Sequence, residues 1–150
     1  MSITNAYNYR AVSDAVLTAG RVEPEQLAEL AGEGVEVVIN LLPDSSEYAV
    51  QDERSLVERQ GIEYQYLPVD FASPTLNDYK QFRRLMVAAG DRKLLIHCAA
   101  NYRVSAFYSR YAIETGRWSP AEADAFMLSI WQPTEHLPWP QWLEEVGCLS

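Results

Sequence analysis

The chain has 150 residues, 48% of them hydrophobic, and a formal net charge of −9. That length suits one domain, residues 1–150, with a core large enough to need neither metal nor disulfide. The acid excess excludes a general nucleic-acid binder, which needs a basic face, and its field repels anions, so any phosphate site has to be built locally.

Short β-rich runs alternate with helical stretches along the chain. Residues 15–18, Ala-Val-Leu-Thr, form a weak strand closed by Gly20. A helix is predicted over 24–31, with Pro24 near its first position and Gly32 and Gly34 at its end. Val35 to Leu41 is β-branched and buried in character, and Ile62 to Leu67 alternates with period two. Between them the spacing of Tyr48, Val50, Leu56 and Val57 predicts a helix over 46–60, stopped by Gly61. Leu76, Tyr79, Phe82, Leu85 and Met86 predict a helix over 76–89. Lys93 to His97 is a further strand, followed by helices over 104–115, from a capping box at Ser119–Glu122 to about 130, and over 139–146.

This order predicts an α/β fold: a central, mostly parallel sheet of four to five strands flanked by helices. In such sheets the binding crevice lies beyond the carboxyl ends of the strands. Three segments leave strands there, which gathers Asp44, Asp70, Cys98 and Arg103 near one edge.

The chemistry-bearing stretch is Lys93-Leu-Leu-Ile-His-Cys-Ala-Ala-Asn-Tyr-Arg-Val-Ser-Ala-Phe107, a strand that runs through His97-Cys98 into a loop and then a helix. A thiol attacks only as thiolate. Loop amides and a helix N-terminus direct partial positive charge at such a sulfur and then cradle an oxyanion, and a guanidinium adds two-point binding. A free cysteine at a strand end is often ordinary packing. The flanking His97 and Arg103 favour the functional reading, because a cation at a helix N-terminus opposes the dipole unless an anion is bound.

The stretch His97-Cys-Ala-Ala-Asn-Tyr-Arg-Val-Ser105 resembles the active-site loop of the cysteine-dependent protein tyrosine and dual-specificity phosphatases, and more narrowly their small bacterial phosphatase-like members. The resemblance implies a protein tyrosine phosphatase-like fold and a phosphate-binding loop of His97, Cys98, Ala99, Ala100, Asn101, Tyr102, Arg103 and Val104. It implies Cys98 as the nucleophile that forms a phosphocysteine, and Ser105 as the hydroxyl that steadies the departing thiolate. The family's glycine is replaced by Asn101, which tolerates a left-handed conformation. Its arginine position holds Val104, and Arg103 comes one residue early. One helical residue turns a side chain by about 100°, so Arg103 belongs to a tighter loop or meets the anion from another direction.

The resemblance also implies a general acid on a loop before the cysteine. Asp70, 28 residues before Cys98 in Pro68-Val-Asp-Phe-Ala-Ser-Pro74, fits that place, and Asp44 is the reserve. Trp131, Trp139 and Trp142 are expected in the core, with a substrate wall as the alternative, and His136 at the surface.

The expected function is therefore a phosphoric monoester hydrolase acting through a phosphocysteine, with activity altered by the displaced arginine. The expected partner is a phosphorylated protein or small molecule, not nucleic acid or a membrane. A rhodanese-type sulfurtransferase is the alternative, because its loop is one residue shorter and counting Cys98 to Arg103 gives that length. A catalytically weak phosphate- or phosphopeptide-binding module is another. The two cysteines form no disulfide framework, and with only His97 and His136 beside them no metal and no cofactor are expected. No apolar run approaches the ~20 residues of a membrane span, and the opening residues carry no charged segment leading into an apolar one. A cytoplasmic, reducing setting is the expectation, and nothing in the sequence sets an oligomeric state.

Overall fold

The computed structural model describes residues 1–149. Its sheet has five strands in the order β1-β2-β5-β3-β4. They are β1 (Arg10–Ala11), β2 (Val16–Ala19), β3 (Val37–Asn40), β4 (Glu63–Tyr66) and β5 (Leu94–His97). Only β1 runs antiparallel, and β2, β5, β3 and β4 are parallel to one another. The helices are α1 (Pro24–Leu27), α2 (Glu53–Glu58), α3 (Leu76–Ala89), α4 (Tyr102–Glu114), α5 (Pro120–Leu128) and α6 (Trp139–Gly147). None is long and apolar enough to cross a membrane.

Strand geometry sends successive side chains to opposite faces, and here both faces are covered. Val37, Ile39, Leu94 and Ile96 face one core, which α3, α4, α5 and α6 complete with Phe82, Phe107, Met127 and Trp142. Val38, Leu95 and Leu17 face the other, closed by Leu27, Leu30 and Val57 from the α1 and α2 side. Because each central strand is buried on both sides, it reads as a continuous apolar run rather than a clean alternation.

The boundaries of α3 match the sequence prediction, and a capping box at Thr75 and Asp78 explains its start. The helix predicted over 46–60 is corrected: only Glu53–Glu58 is helical. Asp52 has φ 58°, a left-handed conformation that ends the helix on its N-terminal side. Tyr48 and Val50, whose spacing suggested helix, lie in the preceding turns. The predicted helix over 24–31 divides into α1 and a 3₁₀ turn at Ala31–Glu33, and the two-residue β1 carried no sequence signal.

Register brings three carboxyl ends side by side. His97, the last residue of β5, lies opposite Ala19 of β2 on one side and Asn40 of β3 on the other. The loop that starts at Cys98 therefore leaves the middle of the sheet. Phe82 is fully buried and meets Phe107 and Tyr111 edge-on. Phe82→Ala should cost about 3–5 kcal/mol of unfolding free energy, measured by urea denaturation.

Candidate active site

Cys98 follows β5 directly and is fully buried at 0% exposure. Its amide donates to the Ala19 carbonyl at 3.2 Å. The next carbonyls are tied outward: Ala99 accepts from the Arg21 amide at 2.8 Å, and Ala100 from Asn8 Nδ2 at 3.0 Å. Asn101 takes the left-handed conformation, with φ 67°, and caps α4. Its buried amide donates to the Asn8 carbonyl at 2.9 Å and to Thr18 Oγ1 at 3.0 Å.

These bonds occupy the loop's carbonyls and leave its amides. Among the described residues, the N–H groups of residues 99–104 donate to no backbone acceptor. Six consecutive unpaired donors thus stand at the start of a 13-residue helix, the kind of arrangement that can bind an anion.

Gly20 makes the close approach possible. A Cβ there would stand 2.8 Å from Ala100 Cα, 2.9 Å from the Ala99 carbonyl and 2.9 Å from the Tyr7 carbonyl. All three obstacles are backbone. Sequence reading saw Gly20 only as a strand stop; a glycine directly after a strand, on the sheet edge that carries the loop, was the available signal.

Arg103 reaches the segment after β4. Its Nη1 donates to the Val69 carbonyl at 3.0 Å, and its guanidinium carbon lies 5.5 Å from the Phe71 ring centroid. It thus grips the residues on either side of Asp70. Its Nε is buried and has no hydrogen-bond partner among the described residues. Val104, at the family's arginine position, is fully buried in the core beneath α4.

Asp70 is exposed, in a turn where its Oδ1 accepts from the Ala72 amide at 2.9 Å. Asp44 is also exposed, but its amide bonds Tyr66 and it lines a cavity of about 410 Å³ with Glu53, Tyr64 and Tyr66. Asp70, not Asp44, is joined through its neighbours to Arg103.

Ser105 is buried. Its hydroxyl donates to the Tyr102 carbonyl at 3.1 Å and accepts from Trp131 Nε1 at 3.0 Å. The tryptophans reach the loops as well as the core. Tyr102 stacks on Trp131, centroids 4.7 Å apart and planes 7° apart. Trp139 Nε1 donates to the Phe71 carbonyl at 2.9 Å. His136, expected at the surface, is half-buried in this cluster, 5.5 Å from the Phe71 and Trp131 rings, because the turn before α6 folds back over them.

His97 is buried, and its Nε2 meets Glu53 Oε2 at 2.6 Å. Sequence reading missed Glu53 entirely. Tyr64 completes the cluster, its hydroxyl accepting from Asn40 Nδ2 at 2.9 Å. Burial first, then the charge of Glu53, pushes the Tyr64 phenol well above the ordinary tyrosine range. A polar cluster thus underlies the residue preceding the cysteine.

No protein-family model matches the chain. Crystal structures of a DUF442 phosphatase-type protein from Shewanella putrefaciens CN-32 are 32–34% identical, covering 96% of this chain and 91–93% of that one, with TM-scores of 0.85–0.86. TpbA of P. aeruginosa, solved as a cysteine-to-serine variant in complex with pTyr, shares the fold at 15% identity and a TM-score of 0.71, over 93% of this chain and 88% of that one. A "Beta-lactamase hydrolase-like protein" of Xylella fastidiosa is 26% identical over 117 residues, or 76% of this chain. The chain spans only 27% of the length of that curated relative.

Two substitutions probe how the site is built. Glu53→Ala leaves the buried His97 Nε2 without its partner and should cost about 1–3 kcal/mol in urea denaturation, with Glu53→Gln milder because it keeps a hydrogen bond. Gly20→Ala overpacks backbone against backbone and should cost about 1–3 kcal/mol in the same measurement.

Proposed function

Because the chain belongs to the DUF442 family of cysteine-dependent, protein tyrosine/dual-specificity phosphatase-like proteins, we propose that it hydrolyses phosphomonoesters through a phosphocysteine. The observation that carries this reading is the run of unpaired amides from 99 to 104 wrapped around the end of β5, directly after Cys98.

The phosphoryl group of the substrate sits in this concavity. The amides and the free N–H groups of Arg103 share the charge on its non-bridging oxygens. The Cys98 thiolate attacks phosphorus, an S–P bond forms, and the P–O bond to the leaving group breaks. Asp70, in its acid form, gives that oxygen a proton and becomes a carboxylate. The same carboxylate then takes a proton from water as the water oxygen attacks phosphorus. The S–P bond breaks, inorganic phosphate leaves and Cys98 returns as thiolate.

Arg103 has two tasks in this reading. It offers donors to the phosphate, and through the Val69 carbonyl it couples phosphate binding to the position of Asp70. An arginine one residue early in the loop is suited to the second task because it reaches sideways to the acid-bearing turn. Ser105 acts chiefly as a brace between Tyr102 and Trp131. The protein TpbA, in complex with pTyr, makes an aryl phosphate the natural first probe.

The short spacing from Cys98 to Arg103 favours a second reading, sulfur transfer through a persulfide on Cys98. Thiosulfate-to-cyanide transfer by the wild type, without phosphate release, would replace the first reading by the second.

Turnover of p-nitrophenyl phosphate, followed by phosphate release, checks the assignment. Cys98→Ser should abolish it. Asp70→Asn should slow it by about 10²-fold or more. Arg103→Ala should both raise KM and lower kcat, since it loses donors and releases the Asp70 turn. Turnover that survives Cys98→Ser would overturn the mechanism.

A further inference from the structure

Arg21 follows Gly20 at the end of β2, and its amide holds the cysteine loop by the Ala99 carbonyl. Its side chain lies between two aromatic rings. The guanidinium carbon is 4.2 Å from the centroid of Tyr7 and 4.9 Å from that of Tyr48. Tyr48 belongs to the segment after β3. In the sheet, β5 separates β2 from β3. A contact between a residue that follows β2 and one that follows β3 therefore spans the carboxyl end of β5, where Cys98 begins.

Among the described residues, Arg21 is the one arginine whose guanidinium lies over two aromatic rings. The chain has 21 acidic residues against 12 basic ones. Arg54, Arg83, Arg92 and Arg110 each pair with a carboxylate. Among the described residues no carboxylate lies within ion-pair distance of Arg21, nor of Arg10, Arg59, Arg84, Arg103 or Arg117. Tyr7 and Tyr48 remain 46% and 44% exposed while they flank it. Rings stacked on a guanidinium hold its plane by cation–π attraction and leave its in-plane N–H donors unoccupied. A fixed, unpaired fork of that kind matches an oxyanion in two-point geometry.

We propose that Arg21, held by Tyr7 and Tyr48, is a second anion-binding group at the mouth of the cysteine loop. It selects small phosphomonoesters that carry a second phosphate a few bonds from the one hydrolysed. The inference rests on the phosphatase reading for its catalytic consequence, but the anion site stands on its own geometry. The short connection from Arg21 through Gly20 to the loop suits two anions of one small molecule. In a protein whose overall field repels anions, a second local cation also offsets the cost of bringing in a doubly phosphorylated ligand.

The test compares the full chain with Arg21→Gln and Arg21→Lys on three substrates: phenyl phosphate, catechol bisphosphate and hydroquinone bisphosphate. The quantity read is the ratio of kcat/KM for each bisphosphate to that for phenyl phosphate. A partly unfolded variant lowers all three rates together and leaves the ratio unchanged, so the ratio reports selectivity alone. Wild type should favour at least one bisphosphate. Arg21→Gln should lower that ratio about tenfold, the worth of a charged hydrogen bond, chiefly through KM, and Arg21→Lys should retain part of it. Ratios that stay the same in Arg21→Gln for both bisphosphates overturn the proposal. If the wild type hydrolyses none of the three, the phosphatase reading fails, and calorimetric binding of the same compounds decides the anion site. Arg21→Gln should then weaken the bisphosphates more than phenyl phosphate, and equal weakening or none overturns it.

Discussion

A loop that keeps its amides unpaired still has to hold one shape. Unpaired buried donors cost free energy, so the loop needs its rigidity from somewhere other than its own N–H groups. Here it comes from the carbonyl side. Ala99 and Ala100 are held through their oxygens by Arg21 and Asn8, and Asn101 is held through its side chain by Asn8 and Thr18. The end of β2 and the segment before it thus form a mould for the loop. Gly20 is the point of closest approach, where backbone meets backbone with no room for a methyl group. The position of Cys98, the direction of the amides and the start of α4 all follow from that contact.

The displaced arginine is a consequence of how α4 begins. Asn101 turns left-handed and the helix starts at Tyr102, so side chains at 103 and 104 leave the helix in different directions. Residue 104 faces the core and is apolar for that reason. Residue 103 faces the turn that carries Asp70. Tyr102, one residue earlier, faces Trp131, which in turn bonds Ser105. The aromatic cluster then extends through Phe71 to Trp139, so it braces the cysteine loop and the Asp70 turn against each other. The tryptophans belong to the core, as expected, and they also set the spacing between the cysteine loop and the Asp70 turn.

Local chemistry was readable in the sequence where it was contiguous. The strand into His97-Cys98, the left-handed Asn101 and the helix after it all lie within one short stretch, and α3 announces itself through its capping box and periodic apolar residues. What could not be read was contact across the sheet. Nothing in the sequence links Glu53 to His97, because their meeting depends on α2 packing onto the sheet face beneath β5. The same holds for Gly20, whose role exists only because β2 and β5 are neighbours in register. The overlong helix over 46–60 failed for a related reason. Tyr48 had apolar spacing suited to a helix, yet its ring lies against Arg21, a partner from the other side of β5.

Electrostatics tie these pieces together. The net charge of −9 opposes an anionic ligand at long range, and screening confines that field to roughly 8–10 Å at physiological salt. Within such a distance, arrangement outweighs total charge. Around the end of β5 stand the unpaired loop amides and the N-terminus of α4, while Arg103 reaches the Val69 carbonyl and the Phe71 ring. Glu53 is matched to His97, the residue before Cys98. Asp70 stands on an exposed turn, tethered by its own Asx bond and by Arg103's hold on Val69. The protein thus separates its two kinds of group by structural layer, with unpaired donors on the cysteine loop and the Asp70 carboxylate on a neighbouring turn.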